Sequence, residues 1–395
     1  MDEKNAIRKI KNGRTLSNEM NEKNIARIGG EAELVSLNGK SFFIATAPIR
    51  GFEKMVEGKP PLFVVQAVMR ICGICHAAHA IAACEAFEHV FGIYPPRNGL
   101  IAREAVGLLN RIQSHLLHNV MILPDILEEE YKREALHLTI SMLERVNKML
   151  TELAGAPTHP NKIVIGGMAR EIDEKILGRN KEELNKIREI YRDLKKLEED
   201  ENKWSKLALN AKDIEVNSKY LSSHPFYGDR YAIKLDAIKV VSYDEIHEED
   251  IAKKSSSRVA LYNGQPVEVG PRARLKIYKN FSYNGIIGLQ VARLEEIEMA
   301  LDRIEEIFDQ IEINQPFKTE GFMMGKGEGI GVYEAPRGLL IHRAKLNDEG
   351  RIESYSIIVP TMFNIPIMEK TGNEFGIRLY DPCIPCTTHC MEVKK

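Results

Sequence analysis

The sequence predicts an α+β fold that is mainly α, a core bundle of long helices with small β elements near the N- and C-termini. Apolar residues recur at helical spacing through the middle, an Asn-Gly turn between apolar segments stands near the start, and β-rich segments return near the end. At 395 residues, with 44% hydrophobic and 28% charged residues, the chain can bury a sizeable core. Residues 1–395 read as one domain, without internal repeats or low-complexity tracts.

Residues 1–30 are polar and charged and read as an extended arm. Ala32 to Leu37 and Ser41 to Ile44 flank Asn38-Gly39, which predicts strand, tight turn and strand, ending near Pro48. The Ala-rich stretch from Ala77 to Val90 suits a helix that Pro95-Pro96 stops. Ala105, Leu108, Leu109, Ile112, Leu116 and Val120 mark the buried face of a long helix; Pro124 interrupts the pattern, which resumes from Leu127 to Leu153. Asn180 with Glu183 three residues on reads as a capping box opening a third helix through Leu184, Ile187, Tyr191, Leu194 and Leu197. A fourth carries Leu294, Ile297, Leu301, Ile304, Phe308 and Ile311. Residues 210–290 are less regular, with turns at Asn263-Gly264 and Gly270-Pro271. Strands are expected at Leu339 to Ile341 and Ile352 to Val359.

A net charge of −2 gives no reason to expect nucleic acid or an anionic membrane as partner. No segment reaches the roughly 20 apolar residues of a transmembrane helix, and Met1-Asp2-Glu3-Lys4 leads into no signal-peptide core, so a cytoplasmic location is expected. Six cysteines are too few for a disulfide scaffold; Cys84, in an Ala-rich run, reads as a small packed hydrophobe.

The other cysteines carry more information. Cys72-Gly73-Ile74-Cys75 and Cys383-Ile384-Pro385-Cys386 are two Cys-x-x-Cys units that can turn four thiolates toward one soft metal centre. A zinc ribbon places its second pair about 15–20 residues after the first. Here the pairs stand at opposite ends of the chain, so the fold must bring them together. Structural zinc or plain buried thiols are the alternatives. A helix opening at Cys75 puts these thiols near its positive end, which favours the thiolate.

Three signatures, Arg50-Gly51-Phe52-Glu53, Arg70 to His79 and Asp381 to His389, make the chain resemble the large, catalytic subunit of nickel-iron hydrogenases. His159-Pro160-Asn161 to Gly166-Gly167, Glu334 to Gly338 and Val359-Pro360-Thr361 extend the likeness over nearly the whole chain. Gly264, Val267 to Arg274 and the compact length look most like the alpha subunit of coenzyme F-420-reducing hydrogenases of methanogenic archaea.

The resemblance implies heterolytic splitting of dihydrogen at a nickel-iron centre whose iron carries carbon monoxide and cyanide. Cys72 and Cys383 would be terminal nickel ligands, and Cys75 and Cys386 would bridge to iron. Cys383 would take the proton. Arg337 would stand over the open metal position, Pro360 and Thr361 would line the pocket of the diatomic ligands, and His79 would donate toward a bridging sulfur. Glu53, His389 and the carbonyl of Ile357 would hold a third metal, magnesium or iron. A maturation endopeptidase would remove residues 390–395.

Cys84 and Cys390 are too few to hold an iron-sulfur relay, so a partner chain must carry the electrons. The resemblance implies an iron-sulfur small subunit and a flavin-containing subunit that binds coenzyme F-420. Another acceptor, a heterodisulfide reductase or a nicotinamide cofactor, is the first alternative; a non-catalytic paralogue is the second.

Departures from the family pattern are specific. Its N-terminal Arg-x-Glu-Gly-His aligns with Arg27-Ile28-Gly29-Gly30-Glu31, which puts Gly29 where the proton-passing glutamate stands. Glu31, two residues along a strand, is expected to substitute. His76 replaces a common proline, and Phe363 a tryptophan. His115 and His118 read as packed or hydrogen-bonded residues, and the run Lys195 to Lys203 as a wet helix face.

Overall fold

The computed structural model describes residues 21–26, 31–46 and 51–389. The N-terminal arm up to residue 20, the Arg27 to Gly30 stretch, the strand end near Pro48, Arg50 and the tail 390–395 lie outside them.

β1 (Asn21–Ala26), β2 (Glu31–Leu37) and β3 (Lys40–Thr46) form an antiparallel sheet in that order. Asn38 and Gly39 adopt φ of 52° and 76°, the left-handed pair that a two-residue hairpin turn requires. Five long helices follow among the described residues, the Ala-rich one and the four that the periodicity predicts, but several of their ends differ from the expectation. α1 (His76–Phe91) is ended by Gly92 at φ 63°, whose N–H returns to the last turn, and not by Pro95-Pro96. α2 (Arg97–Ile126) runs through Pro124, which has no N–H to return to Val120 and so gives up one helical hydrogen bond, and the helix ends two residues later. α3 (Glu129–Ala154) is antiparallel to it across a short link.

α4 (Glu174–Glu198) starts before Asn180, capped by Asp173, whose carboxylate accepts the Ile176 N–H at 2.7 Å. The capping-box reading fails because Asn180 and Glu183 serve tertiary contacts: Asn180 donates to Glu152, and Glu183 pairs with Arg145 and Lys148. The wet-face reading of 195–203 also needs correction, since Glu198 is buried. It accepts from Asn119 and Gln290, both at 2.8 Å, and burial pushes its carboxyl up to about 8.

α5 (Pro271–Tyr278) and α6 (Gly288–Gln310) lead to a second antiparallel sheet, β4 (Gly327–Ala335), β5 (Gly338–Leu346) and β6 (Ile352–Ile358), and then to α7 (Pro360–Met368). β4 is absent from the sequence expectation, because glycine at 327, 329 and 331 is a poor strand former. Packing explains it. A Cβ at Gly331 would lie 2.0 Å from the Ala82 carbonyl oxygen, and one at Gly329 2.1 Å from that of Ala86. The Ala-rich face of α1 thus rests directly on the β4 backbone, and only glycine admits that approach. Both sheets and all the long helices contribute to one buried apolar core. No helix among the described residues is long and apolar enough to cross a membrane.

Candidate metal centre

Cys75 is the N-cap of α1, whereas Cys383 and Cys386 flank the start of a single-turn helix, Ile384–Thr387. The fold brings these distant segments together. Cys75 and Cys386 sulfurs lie 3.4 Å apart, Cys72 and Cys383 3.5 Å, and Cys383 and Cys386 2.9 Å. All four are buried, and their Sγ atoms fall within 4.8 Å of one another. Two sulfurs bound to one ion at about 2.3 Å are at most about 4.6 Å apart, a limit that the spacings of 3.4, 3.5 and 2.9 Å meet, so this donor set suits a thiolate-bound metal.

Electrostatics agrees with that fit. The neighbouring sulfurs, Cys383 first, hold the Cys72 thiol well below its ordinary range, whereas Cys383 pushes Cys75 up and burial pushes Cys386 up. Further ionisation therefore needs positive charge. Part of it comes from Arg337: burial opposes its charge, but Asp381 and the Cys383, Cys75 and Cys72 sulfurs outweigh that and keep it cationic.

Arg337 is clamped in place. Its Nε donates to the Asp381 carbonyl at 2.6 Å, Nη2 to the Asp381 carboxylate at 2.9 Å and Nη1 to Ser114 Oγ at 3.4 Å. Asp381 reaches it from a left-handed backbone, φ 54°, which a non-glycine residue holds only where its surroundings compel it. Beside it the β4–β5 turn meets the loop before α5 backbone to backbone: a Cβ on Gly338 would lie 2.6 Å from the Gly270 nitrogen.

Of the other expected residues, Thr361 accepts the Cys383 N–H at 3.1 Å, which leaves its own proton to donate, and Pro360 opens α7 next to it. His79 Nε2 lies 3.5 Å from Cys386 Sγ. Glu53 accepts the Ile357 N–H at 2.6 Å and lies 3.6 Å from His389 Nε2, so these three residues also meet. His389 Nδ1 hydrogen-bonds the Cys386 carbonyl.

Glu31 is different. It opens β2 with its side chain exposed, and among the described residues no hydrogen bond joins it to the sulfurs. A direct proton handover needs hydrogen-bond contact or one bridging water. His115 and His118 are buried and hydrogen-bonded, to Glu296 at 3.0 Å and to the Arg378 carbonyl at 2.9 Å.

What sequence reasoning missed is the scaffold behind Arg337. Arg274 donates to the carbonyls of Ala335 and Pro336, both at 3.0 Å, and Arg111 to that of Glu334 at 2.8 Å. Glu296 and Glu334 balance these guanidiniums. A signal existed: Arg111, His115 and Glu296 fall among the apolar stripes of α2 and α6, where a charged residue needs a partner.

The comparisons with known proteins come from three directions. A family model described as Nickel-dependent hydrogenase matches residues 50–122 and 277–376. Among curated proteins, the alpha subunit of the coenzyme F420 hydrogenase of Methanocaldococcus jannaschii is 35% identical, covering 91% of this chain and 89% of that one. The corresponding subunit of Methanothermobacter thermautotrophicus is 34% identical, over 93% of this chain and 94% of its own. Among solved structures, the Ni-Fe-Se hydrogenase of D. vulgaris Hildenborough in the reduced state superposes with a TM-score of 0.77 at 21% identity, covering 94% of this chain and 100% of that one.

Proposed function

Because the chain belongs to the nickel-dependent hydrogenase family, as the catalytic large subunit of a nickel-iron enzyme, we propose that it splits dihydrogen for the reduction of coenzyme F-420, an 8-hydroxy-5-deazaflavin. The observation that carries the chemistry is the meeting of four buried sulfurs from the two ends of the chain beneath Arg337. The names of the relatives most similar in sequence support the acceptor.

When bound, a nickel-iron pair would supply a redox-active Lewis acid that polarises dihydrogen and can hold its two electrons as the two protons leave. The chain does the rest. Cys72 and Cys383 would hold nickel, and Cys75 and Cys386 would be shared with iron. The Cys383 sulfur would take the first proton, the second leaving to solvent as the electrons pass on, and Arg337, its charge fixed by Asp381, would stabilise the charge that develops as the bond parts. Thr361, whose proton is free to donate, and Pro360 would line the pocket of the iron's diatomic ligands, and His79 would donate to Cys386. Glu53, the Ile357 carbonyl and His389 would hold magnesium or iron and tie down the C-terminal motif, after an endopeptidase had removed residues 390–395 from this single-domain chain. The electrons leave through an iron-sulfur small subunit to a flavin-containing subunit in the cytoplasm.

Infrared absorption with a metal count tests this reading. The purified protein is expected to hold one nickel and one iron at the cluster and to show metal-bound carbon monoxide and cyanide bands; zinc alone would refute it. Dihydrogen-dependent reduction of the deazaflavin, with none of a nicotinamide, tests the acceptor. The exposed position of Glu31 gives a further prediction. Glu31→Gln is expected to leave hydrogen–deuterium exchange unchanged, and slowing by orders of magnitude would establish it as the proton relay.

A further inference from the structure

Behind Cys386 the structure holds a chain of hydrogen bonds of which the proposed chemistry uses only the first, from His79. His79 Nε2 lies 3.5 Å from Cys386 Sγ, and His79 Nδ1 lies 3.1 Å from His342 Nε2. His342 Nδ1 in turn lies 2.7 Å from the Tyr355 hydroxyl. These side chains come from α1, β5 and β6, and all are buried. Among the described residues no carboxylate hydrogen-bonds either ring, and an imidazolium buried without such a partner is costly, so both rings are neutral and each carries one proton.

A metal-bound thiolate has no proton, and this settles the direction of every bond in the chain. Cys386 can only accept, so His79 carries its proton on Nε2. Its Nδ1 is then an acceptor, which requires the His342 proton on Nε2. His342 Nδ1 accepts in turn, and the Tyr355 O–H donates. We propose that His342 and Tyr355 are positioning residues for the nickel-iron centre: a one-way relay, Tyr355 to His342 to His79, holds His79 in the single tautomer that donates to Cys386.

This inference rests on reading Cys386 as a metal ligand. Its consequence is electronic as well as geometric, because a hydrogen bond donated to a shared sulfur withdraws charge from the metals. Without it, more charge reaches the iron and the antibonding orbitals of its diatomic ligands.

The test compares metal-loaded wild type with Tyr355→Phe, His342→Leu and His342→Gln. Tyr355→Phe and His342→Leu are expected to move the carbon monoxide and cyanide bands to lower wavenumber. His342→Gln, whose amide can still donate to His79 Nδ1, is expected to hold them near the wild-type position. Bands unmoved in both Tyr355→Phe and His342→Leu would overturn the relay. A shift as large in His342→Gln as in His342→Leu would also overturn it, because packing would then be the cause. Nitrogen-15 spectra of histidine-labelled, zinc-loaded protein give a readout independent of the diatomic ligands: His79 in one Nε2–H tautomer in wild type, and a mixture in Tyr355→Phe. A wild type without infrared bands would refute the proposed nickel-iron centre, while a mixed tautomer in zinc-loaded wild type would refute the relay.

Discussion

Replacing Cys383 by serine is expected to empty the site of nickel and abolish dihydrogen turnover while the fold persists. Serine is nearly isosteric with cysteine, but its hydroxyl does not ionise near neutral pH and its oxygen is a hard donor that suits nickel poorly. Cys383 also sits 3.5 Å from Cys72 and 2.9 Å from Cys386, so the change removes the sulfur that touches both halves of the cluster. The loss of activity should exceed the about 10–100-fold that follows from altering a neighbour of a ligand. Cys84→Ala is the control. Cys84 is fully buried in α1, and burial pushes its thiol up, so it behaves as a packed hydrophobe. That variant should lose some stability and keep its nickel. Nickel content and turnover of the two purified variants decide the matter; a nickel-replete Cys383→Ser protein would remove that sulfur from the ligand set.

The contrast between these cysteines marks how far the sequence could be read. The cysteine cluster, Cys72 with Cys75 and Cys383 with Cys386, was legible as a candidate metal site because the chemistry of a pair depends only on its neighbours in the chain. Long helices were legible through their apolar stripes. Helix ends were less so, because Asn180 and Glu183 look like a cap until Arg145 and Lys148 on another helix claim Glu183. β4 was illegible for the opposite reason: its glycines answer to the Ala82 and Ala86 carbonyls of α1, a contact with no local signature. The partners of His79 were hidden likewise, since His342 and Tyr355 read as ordinary strand residues until β5 and β6 bring them behind it.

The same argument about non-local partners gives the second large effect. Glu296→Gln is expected to destabilise the protein by about 3–5 kcal/mol, the usual cost of leaving a buried charge without its counter-ion. Glu296 pairs with Arg274, accepts from His115 at 3.0 Å and lies 3.8 Å from Arg111. Burial alone would raise its carboxyl, but Arg274 and Arg111 outweigh it and hold the group ionised. Glutamine fills the same space yet supplies no charge. Glu334 then remains as the counter-ion of Arg274, and the buried Arg111 loses the nearest carboxylate to its guanidinium. Because Arg274 also holds the carbonyls of Ala335 and Pro336, the damage should reach Arg337 and reduce metal loading as well as stability. Removing the stranded guanidinium as well, Glu296→Gln with Arg111→Met, is expected to recover part of the loss, since no unpaired guanidinium then remains at position 111. Urea unfolding of wild type, single variants and the double variant measures this coupling. A loss under about 1 kcal/mol in Glu296→Gln, the range of an exposed pair, would mean that water reaches the network and that it does not fix the Arg337 backbone.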